Sequence, residues 1–583
     1  MSRYLKIAAL AAAAVLLALL AAAVYFGATV NPNDYKGDLV RLMQQQHQRT
    51  LAIGGDITLR LYPRIGAEFG KVSLSEQNSA TEFASADGMT ISVALLPLLR
   101  NRIEIDRIEV RGARMRLVRS ANGSVNTRDL TAARTAQNEA GGLARGGASM
   151  RFAIDSLRID NAHLLIDDRK AGRTLQVNHL NIESGAVARG VPGKLALSGN
   201  VSMNKPAIST ALTLQSAFML DPARHRIAFT DVEANFDIAN KATRIAAKGR
   251  VDIDVDVDEF AADLQGTLND AIFDLKAGRR AGAYRLALNI DKLDLGRYRE
   301  QPALVAAGSA SSAAPPDLSV LAGVRASGSI HVGALTVGSI NANNVRAVLR
   351  ADGVKFALEP TAADLYGGSA AGSLAFDLTP GAASPRLTLV QNLKGVQVGP
   401  LLHAVLGRDT IDGKGKLMLD VQTEVGTMQH MREVLGGRAA LRLTDGSVTG
   451  IDLTGMITGA DKAAGSSPPG ARTGFAQLDA SFSIANGVAH NEDLRASTAL
   501  LTVEGAGDID LGREQLDYHL RCTVASTGIG VPVNLSGPWS AISWQVAGAT
   551  LSRAALEKLA RDKLKASIRS LIKRRDSLRK PAS

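Results

Sequence analysis

IEIDRIEVRGARMRL (Ile103–Leu117) and FAIDSLRIDNAHLLI (Phe152–Ile166) lie 49 residues apart and share one pattern over fifteen positions. Ile105-Asp106 matches Ile154-Asp155, Ile108 matches Leu157, and Val110 matches Ile159. Gly112-Ala113 matches Asn161-Ala162, Met115 matches Leu164, and Leu117 matches Ile166. Alternation of apolar and polar residues marks strands with one buried and one wet face. The phase slips by one at Asp106-Arg107 and again at Gly112-Ala113, which is what a β-bulge or kink requires. Repeated kinked strands predict an elongated, curved sheet built by repetition.

The same alternation recurs in ITLRLY (Ile57–Tyr62), MTISV (Met89–Val93) and VDIDVDVD (Val251–Asp258). Asx-Gly pairs at Asp87-Gly88, Asn122-Gly123, Asp352-Gly353, Asp412-Gly413, Asp445-Gly446 and Asn486-Gly487 supply the positive φ angles of tight hairpin turns. The chain reads as mainly β and predominantly antiparallel. Roughly 30 strands at about 4.8 Å spacing would extend at most on the order of 150 Å as one open sheet.

Two helices are predicted within this β chain. One lies in Pro32–Thr50, with Leu39, Leu42, Met43 and Gln46 on one face. The other is Met428–Leu435, stopped by Gly436-Gly437. Ala132–Ala148 and Pro302–Asp317 read as linkers, and Ser466–Arg472 as a long loop. The expected organisation is an anchor at 1–30, a helix-plus-β region at 31–148 and a continuation of the β-groove at 149–300. A flexible linker at 301–318, a second β lobe at 319–550 and a basic helical tail at 551–583 complete it.

Of the 583 residues, 46% are apolar, 21% charged and only 4% aromatic, which excludes both wholesale disorder and a polytopic membrane protein. The single cysteine, Cys522, excludes an intramolecular disulfide framework and a Cys-based zinc cluster. The net charge is +11, of which the stretch Arg553–Lys580 carries +8. A nearly neutral body argues against a nucleic-acid-binding surface spread over the fold. The tail places Leu556, Leu559, Leu564, Ile568, Leu571 and Ile572 on one stripe, beside the basic Lys558, Arg561, Lys565, Arg569, Lys573, Arg574 and Arg575. Such a helix can lie on an anionic membrane or a partner protein, or cap a sheet with its basic face in water.

Ile7–Val30 contains no charged residue over 24 positions, and about 20 suffice to cross a bilayer as a helix. Arg3 and Lys6 precede it and Asp34 follows, so the positive-inside rule places the N-terminus in the cytoplasm and the bulk of the chain across the membrane. The alternative is a cleaved signal peptide, with Ala21-Ala22-Ala23 near the cleavage site. The run is longer than the usual apolar region of a signal peptide, which favours a retained single-pass anchor.

Catalytic constellations are weak. None of the nine histidines is within five residues of another, and HExxH, CxxC and GxSxG are absent. Asp252, Asp254, Asp256 and Asp258 share one strand face, which could bind a cation, but no turn wraps them around a common point. The wet face of a strand whose other side is Val251, Ile253, Val255 and Val257 accounts for them. Gly413 and Gly415 do not match a phosphate-binding loop. The expectation is a non-enzyme with no cofactor and no metal.

A curved sheet can leave its concave apolar face uncovered, and an exposed apolar groove marks a binding surface. Acyl chains suit it, since they need area and no directional polar groups. The expected lining is Ile103, Ile105, Ile108, Val110, Ile154, Leu157 and Ile159; the competing expectation is that these fill a closed core.

The chain resembles the AsmA family of Gram-negative envelope proteins. The resemblance runs from the anchor to about Ala547. NPNDYKGDLVRLMQQQHQRTLAIGGDITLRLYPRIGAEFGKVSL (Asn31–Leu74), LLPLLRNRIEIDRIEVRGARMRL (Leu95–Leu117) and NGSVNTRDL (Asn122–Leu130) resemble its N-terminal blocks. LALNIDKLDLGRY (Leu286–Tyr298) resembles the signature that closes the first half. LYGGSAAGSLAFDL (Leu365–Leu378) and LGGRAALRLTDGSVTGIDL (Leu435–Leu453) resemble C-terminal blocks. Arg64 and Thr127 stand where the family often has tryptophan, and the basic tail departs from the usual C-terminus. The resemblance implies an inner-membrane anchor, a periplasmic β-groove and a part in outer-membrane assembly, with no catalytic residues. It implies a non-enzymatic protein that binds or conducts phospholipid. The alternative is an assembly factor for outer-membrane proteins or their machinery, working through sheet edges and the tail.

Overall fold

A computed structural model describes residues 32–60, 65–93, 105–129, 154–170, 172–188, 190–205, 207–221, 226–238, 242–254, 257–298, 318–321, 323–379, 384–407, 411–453, 464–466, 470–525 and 528–546. The candidate anchor, Ile103 and the basic tail with Lys558, Arg561, Lys565, Arg569, Lys573, Arg574 and Arg575 lie outside them. Among the described residues no helix is long and apolar enough to cross a membrane. The protein is mainly β, and its contacts divide it into two compact units, Met1–Gly282 and Ala283–Ser583.

The first unit opens with helix α1 (Lys36–His47) and short strands β1 (Leu51–Ile53), β2 (Thr58–Arg60), β3 (Ile65–Phe69), β4 (Val72–Ser75), β5 (Glu82–Ala86), β6 (Gly88–Val93), β7 (Ile105–Arg111) and β8 (Arg114–Arg119). Longer strands follow: β9 (Ile154–Asp168), β10 (Arg173–Ser184), β11 (Gly193–Asn204), β12 (Ala207–Asp221), β13 (Arg226–Ile238), β14 (Thr243–Asp254), β15 (Glu259–Leu268) and β16 (Ala271–Arg280). From β9 to β16 each strand pairs antiparallel with the next.

The repeat decides the architecture at β9. Its two copies are neighbours, paired in parallel at the 49-residue offset of the sequence match: Ile105 opposite Ile154, Ile108 opposite Leu157, Val110 opposite Ile159 and Leu117 opposite Ile166. Both phase slips are real. The first is a register shift against β6, where Val93 faces Ile105 and Ser92 faces Arg107, leaving Asp106 as the extra residue. The second is Gly112, in the left-handed region at φ +61, matched in the other copy by Asn161 at φ +53. A Cβ on Gly112 would collide with the Asp87 carboxylate, which Arg114 holds at 2.9 and 3.1 Å, and the positive φ favours glycine as well. The break at Gly112 forks the sheet. β7 continues antiparallel through β6, β3 and β2; β8 continues through β5, β4 and β1.

The second unit is β17 (Ala283–Asp294), β18 (Arg325–Val337), β19 (Ile340–Asp352), β20 (Lys355–Leu365), β21 (Gly368–Asp377), β22 (Arg386–Gln397), helix α2 (Val398–Leu406), β23 (Ile411–Glu424), helix α3 (Met428–Glu433) and β24 (Gly436–Thr449). Then come β25 (Ala464–Ser466), β26 (Arg472–Ala485), β27 (Val488–Ser497), β28 (Leu501–Asp510), β29 (Gln515–Val524), β30 (Gly530–Pro538) and β31 (Ser543–Val546). β17 pairs parallel with β18, and an antiparallel meander follows in which β24 pairs β26 and β25 instead seats on β31.

Parallel neighbours need a crossover connection, which an antiparallel reading does not foresee. Both predicted linkers fall inside such connections, 120–153 and 295–324. The strands flanking 301–318 pair with each other, and both lie in the unit that begins at Ala283.

Three local expectations are corrected. On α1 the half-buried residues are Lys36, Val40, Met43 and His47, while Leu39 and Leu42 are exposed, so the inward stripe is rotated from the predicted one. Asp352-Gly353 and Asn486-Gly487 do turn hairpins, but Asp412-Gly413 and Asp445-Gly446 lie inside β23 and β24 at a shared bulge. Positive φ serves bulges as well as turns. Asp87-Gly88 joins β5 to β6, which do not pair with each other. α3 is where it was expected, capped by the Thr427 hydroxyl accepting from the His430 N–H at 3.2 Å.

Candidate binding surface

Directly opposed residues of paired strands share a sheet face. Following the register across the first unit traces one row through eleven strands: Phe69, Met89, Val110, Ile159, Ile182, Leu197, Leu214, Ala234, Ala247, Gly266 and Phe273. No member is polar. Only the two alanines are buried, and every large side chain in the row is half-buried. A face covered by a second layer would bury them all. The opposite face carries cross-strand ion pairs, such as Arg158 with Glu183 at 3.6 Å and Lys248 with Glu233 at 2.7 Å.

The structure brings Ile105, Ile108, Val110, Ile154, Leu157 and Ile159 together as three facing pairs on this apolar face. Sequence reasoning stopped at the two repeat copies and missed the members on β3, β6 and β10 to β16. Their alternation is visible strand by strand, but register is needed to align them.

In the second unit the same kind of face differs between the two ends of its strands. Leu358, Leu374, Leu389 and Val421, opposed in sequence on β20 to β23, are half-buried. Toward the other end of the strands, Val503, Cys522, Val533 and Leu535 are 2%, 0%, 0% and 2% exposed. They form one cluster with Tyr518, Leu520, Leu501 and Leu453. Leu453 comes from the connection after β24, and Thr473 ties that connection down: its hydroxyl donates to the Ile451 carbonyl at 2.7 Å and accepts from the Leu453 N–H at 3.0 Å. Burial alone pushes the Cys522 thiol up to about 11. A maleimide should therefore leave Cys522 unmodified in the folded protein and label it fully in denaturant; stoichiometric labelling of the native protein would contradict this packing.

Among the described residues no three His, Cys, Asp or Glu side chains are placed to hold a metal ion. The aspartate run is dispersed: Asp254 pairs with Arg226 at 3.4 Å and Asp258 pairs with Arg279. His490 is flanked by Asp508 at 2.6 Å and Glu492 at 3.1 Å, and hydrogen bonds to these two carboxylates raise its pKa. A raised histidine pKa stabilises the fold below the unfolded value, and the contribution disappears as pH rises through the folded value. His490→Gln should therefore lower the urea midpoint at about pH 5 and leave it unchanged at about pH 9. An equal loss at both would show that the ring acts by packing, not charge.

A family model described as the AsmA family matches residues 1–298 and 306–494. Protein AsmA of Escherichia coli (strain K12) is 27% identical over 192 residues, covering 31% of this chain and 29% of that protein. The chain thus spans under a third of the length of that relative. No solved structure matches the chain.

Proposed function

Because the chain belongs to the AsmA family, we propose that it is a non-enzymatic, inner-membrane-anchored periplasmic protein that binds or conducts phospholipid along its apolar sheet face in support of outer-membrane assembly. Family membership and a large β-sheet region fit an envelope role. The observation that carries the finer reading is the eleven-strand apolar row left half-exposed, with a charged opposite face. Contiguous exposed apolar surface is costly in water unless something covers it in use. Acyl chains match it because the row offers area and no polar partner. The uncharged run Ile7–Val30 would hold the protein at the lipid source.

The test is lipid extraction and mass spectrometry of residues 32–583 purified without detergent. Co-purifying phospholipid is expected. Ile105→Asp with Ile154→Asp should abolish it, because the two positions face each other on the apolar side and both carboxylates would enter the path. Retained strand signal in circular dichroism separates this loss from unfolding. A folded, lipid-free wild type would instead favour an assembly factor that binds outer-membrane protein clients or their machinery. On that reading, deletion of 552–583 should impair function more than the double substitution does.

A further inference from the structure

We infer that the first unit carries a second binding site, on the face opposite the apolar row, for a small zwitterion that joins a phosphate to an ammonium group, as phosphoethanolamine does. The inference does not rest on the lipid reading, because it concerns the other side of the sheet.

A cavity of about 310 Å³ opens where β5 meets β8. Its lining includes Glu82 and Phe83 of β5, Arg114 and Arg116 of β8, His163 of β9 and Gln176 of β10. Register fixes the face. Met115 lies opposite Leu164, Leu164 opposite Val177, and Val177 opposite Val201, which shares its side of β11 with Leu197 of the apolar row. Arg114 lies opposite His163, and Leu165 lies between Arg116 and Gln176. These residues alternate with the apolar set, so they stand on the other side of the sheet.

Uncompensated charge marks the cavity. Arg114 is neutralised by Asp87, to which it donates twice, at 2.9 and 3.1 Å. The Arg116 guanidinium makes no hydrogen bond or ion pair with any of the described residues, and its Nε is shut off from solvent without an acceptor. A buried donor left unpaired costs its desolvation, so the site lacks an acceptor. Glu82 accepts the Ser85 hydroxyl but pairs with no cation among the described residues. Arg116 and Glu82 thus line one cavity without meeting each other. A ligand that carries both charges satisfies both.

The donors select the anion. A guanidinium donates in one plane, while the Gln176 amide, which has no side-chain partner among the described residues, comes from two strands away. His163, held through its Nδ1 to the Asn178 side-chain oxygen at 3.2 Å, lines the cavity from the strand between them. The acceptor must therefore present oxygens in more than one direction. A phosphate has three, whereas a carboxylate has two in a single plane. The volume lies at the small end for ligand sites, which suits a headgroup and not acyl chains.

The experiment is calorimetric titration of the full chain in dodecyl maltoside, a detergent without phosphate. The titrants are phosphoethanolamine, glycerol 3-phosphate and dihexanoyl phosphatidylethanolamine. Saturable binding of phosphoethanolamine, about 10-fold or more tighter than glycerol 3-phosphate, is expected. Glu82→Gln should erase that preference, and Arg116→Gln should abolish binding of both. Gln176→Ala, at an exposed position, should weaken both several-fold and decides the matter if Arg116→Gln does not fold. If only the short-chain lipid binds, with the same losses in the variants, the group is read from a lipid headgroup; if the free compound binds as well, a soluble source suffices. No saturable binding of any titrant, equal affinity for phosphoethanolamine and glycerol 3-phosphate, or binding unmoved by Arg116→Gln and Gln176→Ala would overturn the site. Each of these would leave the proposal for the apolar row standing.

Discussion

Replacing Arg49 with methionine should destabilise the first unit by about 3–5 kcal/mol. Arg49 has no exposed surface. Its guanidinium donates to both carboxylate oxygens of Asp129 at 2.6 and 2.7 Å, to the Ser75 carbonyl at 2.9 Å and to the Asn126 carbonyl at 2.5 Å. It also sits 4.5 Å from the centroid of the Phe83 ring. One side chain thus joins the end of α1, the end of β4, β5 and the turn after β8. Methionine keeps most of the volume but removes both charge-assisted bonds from Arg49 to the Asp129 carboxylate, itself 9% exposed. Adding Asp129→Asn should recover part of the loss, because breaking a buried pair costs more than removing both charges. Denaturant titration of the single and double variants measures this. A single variant within about 1 kcal/mol of wild type would mean that water reaches the site and the network is not buried in solution.

Leu443→Ala should cost the second unit about 2–5 kcal/mol, toward the upper end of that range. Leu443 is fully buried between Gly415 on β23 and Leu478 on β26. Val398 and Leu402 of α2 pack into the same cluster. The cost of a cavity depends on how far its walls can collapse. Here one wall is Gly415, which has no side chain to move in. Leu443→Met, which roughly conserves volume, should cost less than about 1.5 kcal/mol. Thermal or denaturant unfolding of both variants tests the ranking, and equal losses would show that the site is not close-packed.

What was legible in the sequence is local. The 49-residue repeat, its two phase slips and α3 all rest on period, turn chemistry and capping, which act over a few residues. The direction of pairing between the repeat copies was not legible, because alternation is the same for parallel and antiparallel partners. Arg49 was not distinguishable from any surface arginine, since its acceptors are 26 to 80 residues away. Leu453 reads as one apolar residue in a loop, and only contact with β28–β30 gives it a role. The extent of the apolar row is likewise a property of register, which depends on every turn and bulge between Phe69 and Phe273.

The parallel seating of the two repeat copies bears on how long such a protein can be. Ile105, Arg107–Arg111 and Arg114–Arg119 each lie beside their own counterpart 49 positions later, so β9 offers the same pattern as β7 and β8 together. A gene that lost codons 105–153 would present Ile154 to Val93 in place of Ile105, and Ile159 to Met89 in place of Val110. Apolar would still meet apolar, with the bulge and the left-handed residue in step. The sheet would lose β7 and β8, and β9 alone would take both their places. Duplication of the same stretch would add a second such pair. Size in this architecture is thus a quantity that unequal crossing-over can adjust in whole strands.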